Sequence, residues 1–355
     1  MTLIFFLALV HIASGNMTVD DPDLYAHVHV AIATTAQNFE GALVVMLSLA
    51  EHLSEPQDCT IHFITSPIDV VPARALVARF KRLVLVPAPT VELHNLHDRS
   101  KTSFLHLFVE FAEQPMMWVH AFLHYYIKAP RVLYLNHDVI VNKDVRSLYA
   151  IKMSSPLAAA PHNPLGFPES FYYQLFYLDE FCSPSLTFEQ TQELLLAPSS
   201  AITFNAGVLL IDLVAWDSMH LDSGVARMAA KVDGCAFDHL AFNLVFQKPI
   251  DEDGLVVLSG TQTGWQRLHW RWNYQFNASA KIPWYLNREV GIFHALGGPK
   301  FWQSSTRTND WLYRPYALRI AADIDAPIWN VDEKVARQID HSRQQFEVAF
   351  KQSAQ

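Results

Sequence analysis

The stretch Arg131-Val-Leu-Tyr-Leu-Asn-His-Asp-Val-Ile-Val141 constrains the fold most, because an apolar run stops at three consecutive polar residues and then resumes. Val132, Leu133, Tyr134 and Leu135 suit a strand covered on both faces, since β-branched and aromatic side chains pack well on a pleated surface. In an open α/β sheet the carboxyl end of such a strand opens onto the ligand crevice. Asn136, His137 and Asp138 would then face a ligand, and their oxygens and imidazole nitrogens suit a divalent cation bound together with phosphate oxygens. Taken alone, the tripeptide reads equally well as a polar turn between two strands.

The flanking chain supplies a sheet for this strand to join. Residues 27–33 alternate and then turn apolar, ending in the polar loop Thr34-Thr-Ala-Gln37-Asn38. Residues 41–53 carry apolar side chains at helical spacing, Cys59–Thr65 reads as a second strand, 72–80 as a helix with Pro72 at its start, and 83–86 as a third strand. That alternation predicts a mostly parallel, Rossmann-like sheet with helices on its faces. Residues 101–127 look helical with a break at Pro115, and 157–160 read as a short strand. Residues 164–182 form an aromatic, loop-rich insertion; Phe171, Tyr172, Tyr173 and Tyr177 suit packing better than a sugar platform.

Residues 202–212 make another strand, interrupted by Asn205-Ala-Gly207, where glycine permits close approach of a ligand or relieves a bulge. Helical stretches follow at 221–231 and 237–246, and strands at 255–258 and 290–294. The last strand runs into His294-Ala-Leu-Gly297-Gly298-Pro-Lys300-Phe-Trp302, and 333–351 read as an amphipathic helix. The organisation expected is one globular domain over 27–302 with a C-terminal helical extension over 303–355.

A chain of 355 residues with 51% hydrophobic and 17% charged residues has enough apolar surface for a sizeable core. A net charge of -9, with no basic run interleaved with aromatics, argues against a nucleic-acid partner. Leu3 to Ile12 is an apolar run of signal-peptide length, followed by Ala13, Ser14 and Gly15. The expectation is a cleaved secretory leader over 1–15, with an uncleaved anchor as the alternative because no Lys or Arg precedes Arg74. Such a leader directs the chain to the secretory pathway, the Golgi lumen or the extracellular space, where the sequons at Asn16 and Asn277 would become informative. Cys59, Cys182 and Cys235 are widely spaced and indicate neither a zinc site nor a disulfide framework.

Four motifs in order carry a family resemblance: Arg131-Val-Leu-Tyr-Leu-Asn136-His137-Asp138, Phe204-Asn205-Ala-Gly207-Val208 with Trp216 beyond it, Asp238-His239-Leu240-Ala-Phe-Asn243, and His294 through Trp302. Together they resemble glycosyltransferase family 8 of the GT-A fold group, over about Val28 to Trp302. The resemblance implies an α/β fold with a Rossmann-like mixed central sheet flanked by helices. It further implies a retaining transfer of a hexose or related sugar from a UDP-sugar to a glycan or other hydroxyl acceptor, with Mn2+. Asn136, Asp138 and His294 would hold the metal, Lys300 and the backbone at Gly297 and Gly298 the diphosphate, and Thr34, Gln37 and Asn38 the nucleoside. Asn205 and Asp238 would orient the donor sugar, with His239 near its reacting face.

Among the departures from the family pattern, Asn136 stands for the first Asp of the Asp-x-Asp motif, His120 for an Arg, His239 for a Gln and Leu240 for a second Asp. An amide oxygen ligates a metal without supplying charge. Strand alternation points His137 away from Asn136 and Asp138. The departures keep open an alternative, a degenerate member that binds nucleotide-sugar or glycan without catalysis. A metal-dependent hydrolase is weaker, since no further carboxylate is spaced to activate water.

Overall fold

The computed structural model describes residues 26–96, 115–161, 203–231, 238–247, 264–277, 282–296, 300, 302 and 310–323. The leader, the aromatic insertion at 164–182, the strand expected at 255–258, the helix expected at 333–351, Gly297, Gly298, Cys182 and Cys235 lie outside them. Ten strands are described: β1 (Val28–Ala33), β2 (Cys59–Thr65), β3 (Thr90–Asn95), β4 (Arg131–Leu135), β5 (Val139–Val141), β6 (Leu157–Pro161), β7 (Phe204–Asp212), β8 (Gln266–Arg267), β9 (Tyr274–Asn277) and β10 (Ile292–Leu296). Seven form the central sheet in the order β3-β2-β1-β4-β7-β6-β8, and β5-β10-β9 form a second sheet.

The pairings β1 with β2, β2 with β3, β1 with β4 and β6 with β8 are parallel, while β7 runs antiparallel to both β4 and β6. The sheet is therefore mixed and mostly parallel, with its reversal at the strand that follows the Arg131–Leu135 segment in space. All residues of β2 and β4 are buried, as an apolar run covered on both faces requires.

Helix α1 (Phe39–His52) is apolar around nearly its whole circumference, which fits a helix enclosed on all sides. It packs between the two sheets, and its one fully buried polar side chain is used on both sides: Ser48 Oγ donates to Val45 O and accepts from Val141 N–H of β5, each at 3.1 Å. Gly41 in its first turn leaves room for the chain after β4, since a Cβ there would lie 2.5 Å from His137 O and from the Trp302 ring. A helix at the C-terminal side, running from Asp310 to Ala322, docks on this layer. Its Tyr313 donates to Glu40 at 2.6 Å, and Arg79 donates to Ile320 O at 2.6 Å and to Asp323 at 3.1 Å.

Three local expectations are corrected. Residues 83–86 are not a strand: Leu83 ends helix α2 (Val70–Leu83), whose C-cap Val84 donates its N–H to Phe80 O. Val84 and Val86 pack against the core while Leu85 is 75% exposed, so the apolar run reflects a helix end and the chain leaving it. The third strand is β3, an edge strand whose half-exposed Thr-Val-Glu-Leu-His-Asn sequence carries little apolar signal. Pro72 lies within the first turn of α2 rather than at its first residue, a position where its missing N–H is harmless. The described part of the segment expected as helical, 115–127, is a 3-10 helix (Pro115–Phe122) followed by the short α3 (Leu123–Tyr126).

Arg131 anchors the entry of β4. Its side chain is 1% exposed, and one guanidinium nitrogen donates to Tyr149 O and Ile151 O at 2.8 Å each. The Tyr149 hydroxyl donates back to Arg131 O at 2.7 Å. Replacing Arg131 by Met would leave two buried carbonyls without these donors, at a cost of about 3 kcal/mol. The expected outcome is a lower urea midpoint for Arg131→Met, with a smaller drop of about 1 kcal/mol for Tyr149→Phe.

Candidate active site

β4 and β7 pair from Arg131 opposite Asp212 to Leu135 opposite Val208, and the Asn136 N–H extends the ladder by donating to Gly207 O at 2.9 Å. The tripeptide at the end of β4 is thus pinned beside the Asn205-Ala-Gly207 interruption. β10 reaches the same place from the second sheet: His294 pairs with Val139, and Ala295 N–H donates to Asp138 O at 3.0 Å. Gly207 is needed for this convergence. A Cβ there would lie 2.1 Å from His294 Cε1, 2.8 Å from His294 Nε2 and 2.9 Å from Asn136 Nδ2.

Asp138 and His294 are 5% and 1% exposed. Asp138 Oδ2 accepts from the Lys300 ammonium at 2.6 Å, and Lys300 also donates to Ala295 O at 3.0 Å. Asp138 Oδ1 lies 3.2 Å from His294 Nε2 and has no hydrogen-bond partner. Burial by itself would raise the Asp138 pKa, but His294, His137 and Lys300 outweigh it and hold the carboxyl well below the usual carboxylate range.

A chain of hydrogen bonds fixes which nitrogen of His294 carries its proton. Gly207 N–H can only donate, and it donates to Asn205 Oδ1 at 2.9 Å. The same oxygen accepts from Asn273 Nδ2 at 3.0 Å, which turns Asn273 Oδ1 toward His294 Nδ1 at 2.9 Å. His294 Nδ1 therefore carries an N–H, and Nε2 is the ring atom that faces Asp138 Oδ1. Two acceptors 3.2 Å apart repel unless a proton or a cation lies between them. Two cis ligands on an octahedral ion with bonds near 2.1 Å are separated by about 3 Å, so the pair fits a divalent cation, with the Asn136 amide against the same gap.

Asn273, fully buried in Trp270-Arg-Trp272-Asn273-Tyr274, belongs to this network and was missed by sequence reasoning. The available signal was an amide within an aromatic run, since buried amides demand partners. Asn205 is also fully buried, and its Nδ2 remains without a partner. This is an unspent donor at the floor of the site.

Asp238 and His239 open a helix (Asp238–Gln247) that Asn243 ties to β7, its amide accepting from Phe204 N–H and donating to Phe204 O, each at 2.9 Å. His239 Nδ1 accepts from Ala206 N–H at 3.4 Å, one residue from Gly207. Asp238 Oδ2 lies 3.2 Å from His120 Nε2. His120 is 1% exposed and is stacked between Tyr134 and Phe242, with ring centroids 5.0 and 4.4 Å away. Burial drives its pKa down to about 4, against the pull of Asp238. Thr34 is buried at the end of β1, and Asn38 precedes α1, whose Gly41 touches the His137 carbonyl. His137 lies in a turn, where strand alternation no longer applies, and its ring meets Trp302 edge-on at 5.8 Å.

A strand-end crevice on a mixed Rossmann-like sheet, lined by carboxylate, imidazole and ammonium, is the architecture of a GT-A glycosyltransferase. The chain belongs to glycosyl transferase family 8, whose model matches residues 29–306. Among curated proteins it is similar to probable galacturonosyltransferase-like 8 of Arabidopsis thaliana, at 23% identity over 207 residues covering 57% of this chain and 49% of the relative. It is also similar to probable galacturonosyltransferase-like 7 of the same plant, at 26% identity over 192 residues covering 53% and 48%. The chain thus spans about half the length of these relatives. The galactosyltransferase LgtC, solved with donor and acceptor sugar analogues, shares the fold with a TM-score of 0.56 at 17% identity, covering 84% of this chain and 98% of that one. The bifunctional glycosyltransferase WbbM matches with a TM-score of 0.58 at 15% identity, over 90% and 53%.

Gly207→Ala is expected to leave the far-UV circular dichroism intact while lowering the stability read from urea unfolding by about 1 to 3 kcal/mol, because the added Cβ displaces His294. A second outcome follows from His120. The unfolded chain takes up a proton below pH 6.5, whereas the folded chain resists until about pH 4. This contribution to stability is therefore complete above pH 6.5 and is lost as pH falls toward 4. Wild type should lose about 3 kcal/mol more over that interval than His120→Phe, measured by urea unfolding at each pH.

Proposed function

We propose that the chain is a retaining glycosyltransferase that moves a hexose or related sugar from a UDP-sugar to a glycan or other hydroxyl acceptor, with a divalent cation such as Mn2+. The observation that carries this reading is the buried facing pair, Asp138 Oδ1 and His294 Nε2 at 3.2 Å, beside the Lys300 ammonium. Asp138, His294 and the Asn136 amide would hold the ion. When bound, it neutralises charge that builds on the leaving diphosphate.

The chain's own groups divide the remaining work. Lys300 contributes a point charge on the phosphate side. Asn205 Nδ2, buried and unpartnered, offers a hydrogen bond to a donor-sugar hydroxyl. Asp238 orients the sugar from the start of its helix, and His239, held by Ala206 N–H, lies near the reacting face. Thr34 and Asn38 serve the nucleoside. No protein nucleophile is assigned to the retaining step. The secretory route indicated by residues 1–15 suits glycan acceptors. Among the described residues no helix is long and apolar enough to cross a membrane.

A non-catalytic binding protein is the second reading, and two particular positions favour it. Asn136 removes one negative charge from the metal corner. His120, neutral and buried, takes the place of a cation beside Asp238. Both readings meet in one assay, UDP release from UDP-glucose, UDP-galactose and UDP-galacturonate with Mn2+. The enzyme reading expects metal-dependent release that falls by about a hundredfold or more in His294→Ala and Asp138→Ala. Binding of UDP and Mn2+ by wild type without turnover on a broad acceptor panel would overturn it. Asn136→Asp separates the two further: a degenerate site gains Mn2+ affinity, whereas an adapted enzyme gains no activity.

A further inference from the structure

Among the described residues, the family motifs leave unused a row of histidines across the far edge of the central sheet. β2 and β3 pair in parallel with His62 opposite Glu92 and Ile64 opposite His94. Residues two apart on a strand share a face, so Glu92 and His94 flank His62 on one side of the sheet. Their donor atoms converge. His62 Nδ1 lies 3.1 Å from His94 Nε2 and 3.3 Å from Glu92 Oε2, and the latter two are 3.7 Å apart.

We infer that His62, Glu92 and His94 form a second cation site, selective for Zn2+ or a similar borderline metal and separate from the strand-end crevice. Four ligands at the 2.0 to 2.1 Å bond lengths of a tetrahedral zinc are separated by about 3.3 to 3.4 Å. The three observed separations bracket that value, so the triangle is already one face of the tetrahedron. Two imidazoles and one carboxylate suit zinc, whereas magnesium and calcium prefer all-oxygen sets.

The surroundings prepare these groups for ligation. His29 on β1 places its Nδ1 3.0 Å from His62 Nε2, so the ring is held through the nitrogen that faces away from His94 and Glu92. Such an outer contact is the usual means of orienting a ligating imidazole. The His94 ring is held edge-on against Tyr126 with centroids 6.0 Å apart. His62 is 4% exposed at its side chain and His94 11%, while Glu92 is 52% exposed. An ion would therefore enter from the Glu92 side, and water would complete its fourth position. β3 is the half-exposed edge of the sheet, so an ion shared between β2 and β3 would fasten it.

The test is Zn2+ binding to the full chain in an Asp138→Asn background, which disables the strand-end corner. One equivalent bound at micromolar concentration is expected, with a rise in thermal midpoint. Glu92→Gln and His94→Gln should each weaken it by about tenfold or more. Co2+ should give intense visible bands of tetrahedral ligation, lost in both variants. Glu92 is exposed, so its variant keeps the fold and isolates the ligand's effect. No bound zinc, or zinc binding unchanged in both variants, would overturn the site. None of these readouts involves UDP-sugar, so they stand or fall apart from the proposed transferase activity.

Discussion

Antiparallel pairing of β4 with β7 ends with Leu135 opposite Val208 and continues as Asn136 N–H donates to Gly207 O. That one contact fixes the distance between two strand ends, and every other part of the crevice is placed relative to it. His294 enters from the second sheet only because position 207 has no side chain. Lys300 follows β10 and closes on Asp138. Three segments far apart in sequence thus meet within hydrogen-bond reach, although no one of them contains a site.

The second sheet explains how the crevice stays rigid. β5 resumes directly after the tripeptide, pairs with β10, and is tied through Val141 N–H to Ser48 in α1. A turn held at both ends by strands in different sheets has little freedom to rearrange. Helix α1, enclosed on all sides, supports the turn from beneath through Gly41. The turn that carries Asp138 is therefore braced by regular elements on both sides, an arrangement that holds ligand groups firmly.

Much of this could be read from the chain because burial leaves a strong imprint. β2 and β4 are buried along their whole length, and in β4 the apolar run Val132 to Leu135 with its polar end announces such a strand. The residues brought together at Asp138, Asn205, Gly207, His294 and Lys300 were legible for a different reason: each belongs to a polar or glycine interruption within or just after an apolar run. β3 was not legible, because an edge strand with Glu92 and His94 on a half-exposed face has no apolar period to detect, while 83–86 borrowed theirs from α2. Asn273 was hidden because its partners, Asn205 and His294, lie on strands that only the folded topology makes neighbours. Propensity carries no information about such long-range pairing.

The hydrogen bonds that run from Gly207 through Asn205 and Asn273 to His294 have a direction, because a backbone amide at one end has no choice of role. The sequence of donor and acceptor is transmitted link by link, so an amide three contacts upstream dictates the protonation pattern of an imidazole. In such a relay the smallest change in shape is not the mildest change in chemistry. An Asn to Asp exchange at 273 alters almost no volume and still offers an acceptor to the ring, yet it replaces the donor to Asn205 Oδ1 by a second acceptor. Tolerance at this position is governed by electronic parity, not by size.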